Sequence, residues 1–368
     1  MKSTVYFAGI RARSPADSKQ NKINRLFDAA GFSELMNRGD LVAIKLHFGE
    51  QGNDSYVNPI FVRPIVEKVR ALHARPFLTD TNTLYGGSRA NAVDHLRTAE
   101  EHGFSQAVAG APAIIADGLQ GDDFREVSIE KKHFSRVKIA GEIASADSMI
   151  VISHFKAHLP AGFGGAIKNL GMGCASALGK ADQHSARPIF NADTCIGCRA
   201  CAEHCPRRAI TVEKKIKSVN MELCTGCGKC LRMCPVHALD FDWFVQVPPF
   251  MERMTEYAFG ALAGKKGHVG FFNFLLNITP DCDCVPWSDA PLVPDIGILA
   301  SKDPVAIDQA SCDLVNQQAG FINSALQKNH EPGKDKFRGV WENTIGQIQL
   351  DYGDEIGLGS KDYRLIEI

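Results

Sequence analysis

The sequence feature that most constrains this chain is a run of four cysteines that occurs twice. Residues 195–206 and 224–235 each follow the pattern Cys-x2-Cys-x2-Cys-x3-Cys-Pro, and the two runs hold eight of the twelve cysteines. The chain starts without the cationic and long apolar stretches of a signal peptide, which predicts a cytoplasmic protein. In a reducing compartment, so many closely spaced cysteines indicate metal binding rather than disulfides.

The spacing within each run is typical of bacterial ferredoxins with two [4Fe-4S] clusters. Three cysteines separated by two residues each can bind three corners of a cubane from one tight turn, and the fourth cysteine serves the other cluster. The expected ligands are Cys195, Cys198, Cys201 and Cys234 for one cluster, and Cys224, Cys227, Cys230 and Cys205 for the other. Gly197 and Gly226 permit the tight backbone that turns amide N–H groups toward the sulfurs. Zinc is the alternative, but zinc sites use four ligands, usually in two CxxC pairs that lie well apart.

Strand and helix patterns alternate over the rest of the chain. Strand patterns occur at residues 4–8, 41–46, 77–80, 149–153, 267–278 and 296–300, and helix patterns at residues 18–36, 59–74 and 89–102. This alternation predicts an α/β fold with a mostly parallel sheet flanked by helices in Rossmann-like layers. It stops near residue 187 and returns after residue 245. We therefore expect one α/β domain, residues 1–187 and 246–368, interrupted by a small α+β ferredoxin-like domain, residues 188–245, that carries both clusters.

The charge of the chain argues against two classes of partner. Its 41 Lys and Arg residues and 42 Asp and Glu residues give a formal net charge of -1. Nucleic-acid-binding proteins need an excess of basic residues, which is absent here. No apolar run approaches the roughly 20 residues of a membrane helix. We therefore expect neither nucleic acid nor membrane as a partner, and the clusters predict a redox partner protein.

The best candidate for an active site outside the cysteine runs is the stretch from residue 153 to residue 169. His154, Lys156 and His158 alternate along it, so an extended backbone would place the three side chains on one face. A glycine-rich turn at residues 162–165 then leads into a short helical pattern with Lys168 and Asn169. Backbone N–H groups, a helix start and a lysine are expected to bind an anion, and the histidines can move protons near neutral pH. The turn lacks the full dinucleotide-binding pattern.

Other polar residues also follow strand patterns. The candidates for the same crevice are His47, Glu50, Asp80, Asn82, Tyr85, Gly86 and Gly87. In open parallel sheets, ligands bind beyond the carboxyl ends of the strands, so these residues are expected to lie near one another. Asp303 followed by proline is typical of a helix N-cap rather than a catalyst.

Four cysteines lie outside the two runs. Cys282 and Cys284 are too close for a ferredoxin-type turn, and together with Cys174 they offer three further thiolates. They are expected to bind an additional metal, or Cys282 and Cys284 serve as redox thiols. Packing as small apolar side chains is the alternative. Cys312 lies on the apolar face of a helical pattern and is expected in the core.

Six segments outside the cysteine runs carry a resemblance to a known family. They are residues 45–50, 80–87, 153–158, 162–174, 279–284 and 303–308. They resemble the iron–sulfur-centre family called domain of unknown function 362, and they are spread over nearly the whole chain. The resemblance implies an α/β body with an inserted cluster domain. It implies no particular substrate.

Three hypotheses about function follow. In the first, the protein is a reductase that passes electrons through two clusters to a small-molecule substrate or a cofactor in the α/β crevice. In the second, it is a non-catalytic electron carrier that docks to a separate enzyme. In the third, it is an assembly or sensor protein in which cluster loss is the signal. The first two differ in whether the isolated protein turns over a small molecule.

Overall fold

The computed structural model describes residues 2–185, 188–224, 228–242 and 247–368. Its strands in chain order are β1 (Ser3–Gly9), β2 (Leu41–Lys45), β3 (Arg75–Asp80), β4 (Ala113–Ile115), β5 (Phe124–Ser128), β6 (Arg136–Ala140), β7 (Ser148–His154), β8 (Lys156–His158), β9 (Gly162–Gly164), β10 (Pro188–Phe190), β11 (Ile210–Val212), β12 (Ile216–Val219), β13 (Leu239–Phe241), β14 (Val269–Leu275), β15 (Gly297–Ser301) and β16 (Tyr363–Glu367).

Helices fill most of the intervals between the strands. The α-helices are α1 (Lys19–Ala29), α2 (Pro59–Ala71), α3 (Ala92–Glu101), α4 (Gln106–Ala109), α5 (Gly141–Ser145), α6 (Ala166–Gly171), α7 (Ala177–His184), α8 (Ala200–Glu203), α9 (Lys229–Arg232), α10 (Val247–Leu262), α11 (Pro304–Asn316), α12 (Lys336–Val340) and α13 (Gln347–Glu355). Two short 3-10 helices cover Pro15–Asp17 and Phe32–Leu35. Within the part of the chain that the structure describes, every helix is too short or too polar to span a bilayer.

Eight strands form one central sheet in the order β16-β1-β15-β14-β7-β2-β3-β4. Strand β15 pairs antiparallel with β1 and β14, whereas every other pair in this sheet is parallel. The prediction of a mostly parallel sheet flanked by helices is confirmed. The carboxyl ends of β2, β3, β7 and β14 consequently lie along one edge, where the crevice residues gather.

The sheet is buried on both faces, as its central strands show. Every residue of β7 and of β14 is buried. Alternation along each strand sends Val151 and Phe271 into the core on one face, and Ile150 and Phe272 into the core on the other. Helices α6, α10 and α11 cover the first face, and α1 and α2 cover the second. Parallel sheets require such two-sided cover, which explains the continuous apolar runs in the sequence.

Two predicted helix boundaries had different outcomes. Asp303 does cap α11, because its carboxylate accepts hydrogen bonds from the N–H groups of Val305 and Ala306. The single helix predicted for residues 18–36 was wrong, since α1 ends at Ala29. Gly31 follows with φ of 65°, a left-handed conformation that stops the helix, and a 3-10 turn comes next.

The cysteine-rich segment, residues 188–242, lies between α7 and α10 and has two-fold internal regularity. Strand β10 pairs with β13, and β11 pairs with β12. Short helices α8 and α9 begin after equivalent residues, Arg199 and Gly228, which have φ of 66° and 70°. The segment has its own apolar core, which includes Ile210, Leu239 and Phe241.

Candidate functional site

A cavity of about 640 Å³ opens at the carboxyl ends of β2, β3 and β7. This is where an open parallel sheet is expected to bind its ligand. The side chains that follow these three strands and line the cavity include His47 and Glu50, Asp80 and Arg89, and Ser153 and His154. Of the other predicted crevice residues, Tyr85, Gly86 and Gly87 also line the cavity, whereas Asn82 is absent from its lining and donates to Asp117 Oδ1 at 2.9 Å.

One wall of the cavity rests on a buried ion pair. Lys45 Nζ lies 3.0 Å from Asp80 Oδ1 and donates to Asn169 Oδ1 at 2.7 Å. Burial alone would raise the pKa of Asp80, but the charges of Lys45 and Arg89 help to bring it well below its ordinary value. Asn169 also donates to the carbonyl of Ile152 at 2.9 Å, so its amide ties α6 to the sheet. Asn169 therefore holds α6 and the Lys45 side chain together in this wall of the cavity.

A second buried network surrounds Arg89. Its Nε donates to Glu50 Oε2 at 3.1 Å, and a terminal nitrogen donates to the Tyr85 hydroxyl at 2.7 Å. The other terminal nitrogen lies 3.1 Å from His47 Nε2. Burial, reinforced by the adjacent guanidinium, lowers the pKa of His47 well below its ordinary value. His47 is therefore neutral at physiological pH, and its Nδ1 accepts a hydrogen bond from the N–H of Gly49 at 3.0 Å.

Asp283 joins two of the predicted active-site residues. His154 Nδ1 lies 2.7 Å from Asp283 Oδ1, and Lys156 Nζ lies 3.0 Å from Asp283 Oδ2. His154 Nε2 meanwhile faces two backbone carbonyls, those of Leu276 and Asn277, at 3.0 and 2.9 Å. Burial would raise the pKa of Asp283, but His154 and Lys156 hold it well below its ordinary value. A buried carboxylate thus fixes the side chains of both His154 and Lys156.

Cys282 and Cys284 lie side by side next to the cavity. Lys168 Nζ lies 3.2 Å from Cys282 Sγ, and the sulfurs of Cys282 and Cys284 lie within 4.8 Å of each other. A nitrogen of His158 and the two sulfurs lie within 4.8 Å of one another, close enough for three side chains to hold a metal ion. Cys284 lines the cavity and is partly exposed, whereas Cys282 is buried.

The start of α6 is occupied by a carboxylate from another part of the chain. Asp308 accepts hydrogen bonds from the N–H groups of Ala166 and Ile167 at 2.7 and 2.9 Å. A Cβ atom on Gly165 would approach Asp308 Oδ1 to 2.3 Å, so only glycine fits this contact. Burial raises the pKa of Asp308 to about 6. The prediction that the start of α6 binds an external anion was therefore wrong. Of the groups predicted to bind an anion, Lys168 remains available.

The described cysteines of the two runs line two separate small cavities. Cys195, Cys198, Cys201 and Cys234 line one cavity. Cys205, Cys224 and Cys230 line the other. The first cavity thus combines the first three positions of one run with the last position of the other, and the second combines the described first and third positions of the second run with the last position of the first. Cys227 and Gly226 lie outside the described residues.

Backbone N–H groups point at several of these sulfurs. Cys195 Sγ accepts from the N–H groups of Gly197 and Ile216 at 3.4 Å each. Equivalent contacts run from Ala209 to Cys205 at 3.2 Å and from Ala238 to Cys234 at 3.1 Å. Burial raises the pKa of the Cys201 thiol, and the neighbouring sulfurs of Cys234, Cys195 and Cys198 add to this effect. Crowded thiols with N–H donors around them form a donor set that suits a sulfur-ligated metal cluster.

Leu84 connects the cavity with the cysteine-rich segment. It lines the cavity and is also buried within the apolar core of that segment. A Cβ atom on Gly228 would lie 3.2 Å from both the side chain and the carbonyl of Leu84. Gly228 itself lines the small cavity that contains Cys205, Cys224 and Cys230. Leu84 therefore lies beside both the crevice and Gly228, which borders this cysteine set.

The residues predicted from sequence divide into two groups. His154, Lys156, His158, Lys168 and Asn169 all line the cavity, and the first three all face the loop that carries Cys282 and Cys284. Cys174 does not join Cys282 and Cys284. Its Sγ lies 3.9 Å from the carbonyl oxygen of Asn169, and burial raises the pKa of its thiol to about 11. Cys312 lies in the core, as predicted.

Sequence reasoning missed four residues that organise the site. Lys45, Arg89 and Asp283 hold its buried networks together. Lys180 lines the cavity, and burial lowers its pKa to about 8. Asp283 could have been found from its position between two cysteines. The other three carry no local signal, because their partners are distant in sequence.

The fold and the site define an α/β protein with a polar crevice beside a paired set of cysteines. Its sequence matches the family model described as Domain of unknown function (DUF362) over residues 42–313, which is more than half of the chain. The chain belongs to this family, as the motif resemblance implied. No curated protein matches the chain.

A solved structure with some similarity is the lactate racemase apoprotein from Thermoanaerobacterium thermosaccharolyticum. Sequence identity is 12% and the TM-score is 0.37. The match covers 75% of this chain and 51% of the racemase, so the chain spans about half of that protein. A similarity this low carries no information about the reaction.

Proposed function

We propose that the protein is an iron–sulfur reductase that delivers electrons to a small anionic molecule in the crevice. The observation that carries this proposal is Leu84, which lines the cavity and also packs in the apolar core of the cysteine-rich segment. A separate electron carrier has no need of a cavity of about 640 Å³ that shares a buried side chain with its cysteine-rich segment.

The cysteine-rich segment fits two [4Fe-4S] clusters with exchanged ligands. Cys195, Cys198, Cys201 and Cys234 would hold one cluster, and Cys205, Cys224, Cys227 and Cys230 the other. When bound, such clusters supply electrons one at a time. The N–H groups that point at Cys195, Cys205 and Cys234 stabilise negative charge on the sulfurs, which favours the reduced state.

The charge of the cavity wall supports an anionic substrate. Four cationic side chains line the cavity, namely Arg89, Lys156, Lys168 and Lys180, against the carboxylates of Glu50 and Asp80. Arg89 and Lys156 have buried carboxylate partners, whereas Lys168 contacts a sulfur and reaches the cavity. A carboxylate or phosphate group would therefore bind best near Lys168.

Lys180 of the cavity wall suits proton transfer, and His158 suits hydrogen bonding. Burial brings the pKa of Lys180 to about 8, so it can give up a proton near neutral pH. Burial, aided by Lys168 and Lys156, lowers the pKa of His158 well below its ordinary value. His158 is therefore neutral and serves as a hydrogen-bond donor rather than as a cation.

The surface of the cysteine-rich segment suits a protein donor of electrons. Cys198 is exposed, and its neighbour Ile196 is 63% exposed. Further large apolar side chains of the segment are exposed at Ile189, Met221, Leu223 and Met233. Exposed apolar side chains of this kind on the cysteine-rich segment are suited to brief docking of a redox protein. The same surface supports the alternative function, an electron carrier that docks to a separate enzyme.

The test of the proposal is reoxidation of the chemically reduced, anaerobic protein by small anionic acceptors. Absorbance of the clusters is followed while a panel of oxidised carboxylates is added. We expect Lys168→Met to lose at least about tenfold in rate with the best acceptor, because one unscreened charge contact contributes about 1.4 kcal/mol. Lys266→Met, on the exposed surface, is the matched control.

Ferricyanide serves as a second acceptor that needs no binding site. It should reoxidise the wild type, Lys168→Met and Lys266→Met at the same rate. If no small acceptor distinguishes Lys168→Met from Lys266→Met, while a reduced or oxidised protein partner exchanges electrons with all three, the protein is a carrier and the reductase proposal is wrong.

A further inference from the structure

The pair formed by Cys282 and Cys284 has the arrangement of reactive thiols. The sulfurs of Cys282 and Cys284 lie within 4.8 Å of each other, and Lys168 Nζ lies 3.2 Å from Cys282 Sγ. The neighbouring thiol of Cys284, with Lys168 and Lys156, holds the pKa of Cys282 well below its ordinary value, and the nearby Cys282 raises the pKa of Cys284. The two sulfurs are therefore arranged to share one proton.

The surroundings of the pair argue against a metal ion. The backbone N–H of Ala161 donates to His158 Nδ1 at 3.2 Å, which places the proton of the neutral ring on Nε2. Neither nitrogen of His158 then has a lone pair for a cation while that contact lasts. Lys168 already brings a positive charge to Cys282, where a divalent cation would be repelled. Thiol chemistry remains as the use for two adjacent sulfurs.

We propose that Cys282 and Cys284 form a reversible disulfide, and that this pair exchanges two electrons with an anionic disulfide or thiol bound in the cavity. The α-carbons of residues two apart lie within about 7 Å, which a disulfide can bridge. The sulfurs are already within 4.8 Å of one another. The proposal goes beyond the reductase function, and formation of this bond does not depend on iron.

The exchange begins at the sulfur that faces the cavity. When the shared proton moves to Cys282, the thiolate is on Cys284, which attacks one sulfur of the bound disulfide RSSR. The RS–SR bond breaks, RS⁻ leaves, and a mixed disulfide forms on Cys284. Cys282 then loses the proton to the released RS⁻, and Lys168 stabilises the resulting thiolate. This thiolate attacks Cys284 and expels the second RS⁻.

The overall reaction balances in atoms, charge and electrons. One thiolate, one thiol and RSSR give one protein disulfide, one RSH and one RS⁻. The protein loses two electrons, and the small disulfide gains two. In the reverse direction, RS⁻ and RSH together reduce the protein disulfide and leave as RSSR, and the proton of RSH returns to the pair. The cations that line the cavity favour R groups with carboxylates.

Peptide mapping of the full anaerobic protein tests the proposal. Trypsin releases residues 267–302 as one peptide, and its only cysteines are Cys282 and Cys284. After treatment with dithiodipropionate, an anionic disulfide, we expect this peptide to become lighter by two hydrogens and to resist alkylation. A dithiol should reverse both changes. Cystamine, a cationic disulfide, should react at least about tenfold more slowly, because the cavity cations repel it.

Three variants complete the experiment. Cys284→Ser should form no internal disulfide, and Lys168→Met should react about tenfold more slowly because the thiolate loses its cation. Cys312→Ala, which removes a buried cysteine outside the cavity, should behave as the wild type.

Two results would overturn the proposal. One is a peptide with two free thiols after every disulfide treatment, and the other is a stoichiometric metal ion that is lost only on Cys282→Ser or Cys284→Ser. Iron content, measured in parallel, reports separately on the clusters.

Discussion

The cysteine-rich segment and the crevice are built in opposite ways. In the segment, the reactive residues lie within two runs of twelve residues, and the local pattern repeats. In the crevice, His154 and Asp283 are 129 residues apart, and Lys45 and Asn169 are 124 apart. Local sequence spacing brings the cysteines of the segment together, whereas the central sheet brings the residues of the crevice together. The segment can therefore be read from sequence, whereas the crevice requires the fold.

The two regions also differ in how their charges are stabilised. The crevice holds ionised pairs in the protein interior, such as Lys45 with Asp80 and Lys156 with Asp283. Removal of one partner from such a pair leaves a buried, uncompensated charge. The segment holds crowded thiols that need a metal to become thiolates together. We therefore expect the crevice to respond to carboxylate substitutions and the segment to respond to cysteine substitutions.

The largest expected effect is on cluster content in the segment. If the proposed ligand exchange is right, Cys234→Ala should remove the same cluster as Cys201→Ala, because the two residues line the same cavity. The double variant Cys201→Ala with Cys234→Ala should then lose no more iron than either single variant. The double variant Cys201→Ala with Cys205→Ala should lose the iron of both clusters. Equal losses in the two double variants would refute the exchanged ligands.

The next effect is on stability in the crevice. Asp283→Asn should lower the free energy of unfolding by about 3–5 kcal/mol at pH 7, because His154 and Lys156 lose their buried carboxylate. The pKa of Asp283 is depressed in the folded state, so its contribution is present above the ordinary value of 3.8 and is lost as pH falls through the folded value. Urea unfolding at several pH values measures both effects.

Asp351→Asn is the matched control for this variant. Asp351 pairs with Lys361 at 2.6 Å on the surface, where its side chain is 54% exposed. Loss of the Asp351 carboxylate should change the free energy of unfolding by less than about 1 kcal/mol. If Asp283→Asn costs no more than Asp351→Asn, the buried pair does not organise the crevice.

A substitution at the junction tests whether the two regions act as one. Leu84→Ala should lower the free energy of unfolding by about 3 kcal/mol, since Leu84 is buried between the cavity and the segment. Leu159→Ala is the control, because Leu159 is 56% exposed, and it should cost less than about 0.5 kcal/mol. Equal stability of the two variants in urea would mean that the regions are not packed together.

The smallest effect concerns alkaline pH. Burial lowers the pKa of Lys180 from 10.5 to about 8, so the unfolded chain binds more protons than the folded chain between these values. The free energy of unfolding should therefore rise by about 2 kcal/mol from pH 8 to pH 10.5 on account of this residue. Lys180→Met should lack this rise, and Lys266→Met should retain it. If the free energy of unfolding of Lys180→Met depends on pH in the same way as that of the wild type, Lys180 is solvated and its pKa is not lowered.

Sequence predicted the elements whose signals are local. Apolar runs located β2, β7 and β14, and the Asp303–Pro304 pair located the start of α11. The helix expected to reach residue 36 ended early, because Gly31 adopts a positive φ that no periodicity reveals. The candidate residues of the crevice were identified from strand ends, which share one edge in a parallel sheet.

The parts of the site that escaped prediction depend on contacts between distant residues. Asp308 lies 142 residues from Ala166, whose N–H it accepts, so the blocked helix start had no sequence signal. Cys174 was grouped with Cys282 and Cys284 on residue type alone, and the fold places it beside Asn169 instead. Residue type indicates what chemistry is available, but the fold decides which residues meet.

A count of iron and acid-labile sulfide in the anaerobically purified full chain tests the central claim most directly. Two [4Fe-4S] clusters predict about eight iron and about eight sulfide per chain. Zinc without sulfide, or iron and sulfide for a single cluster in fully folded protein, would contradict the account.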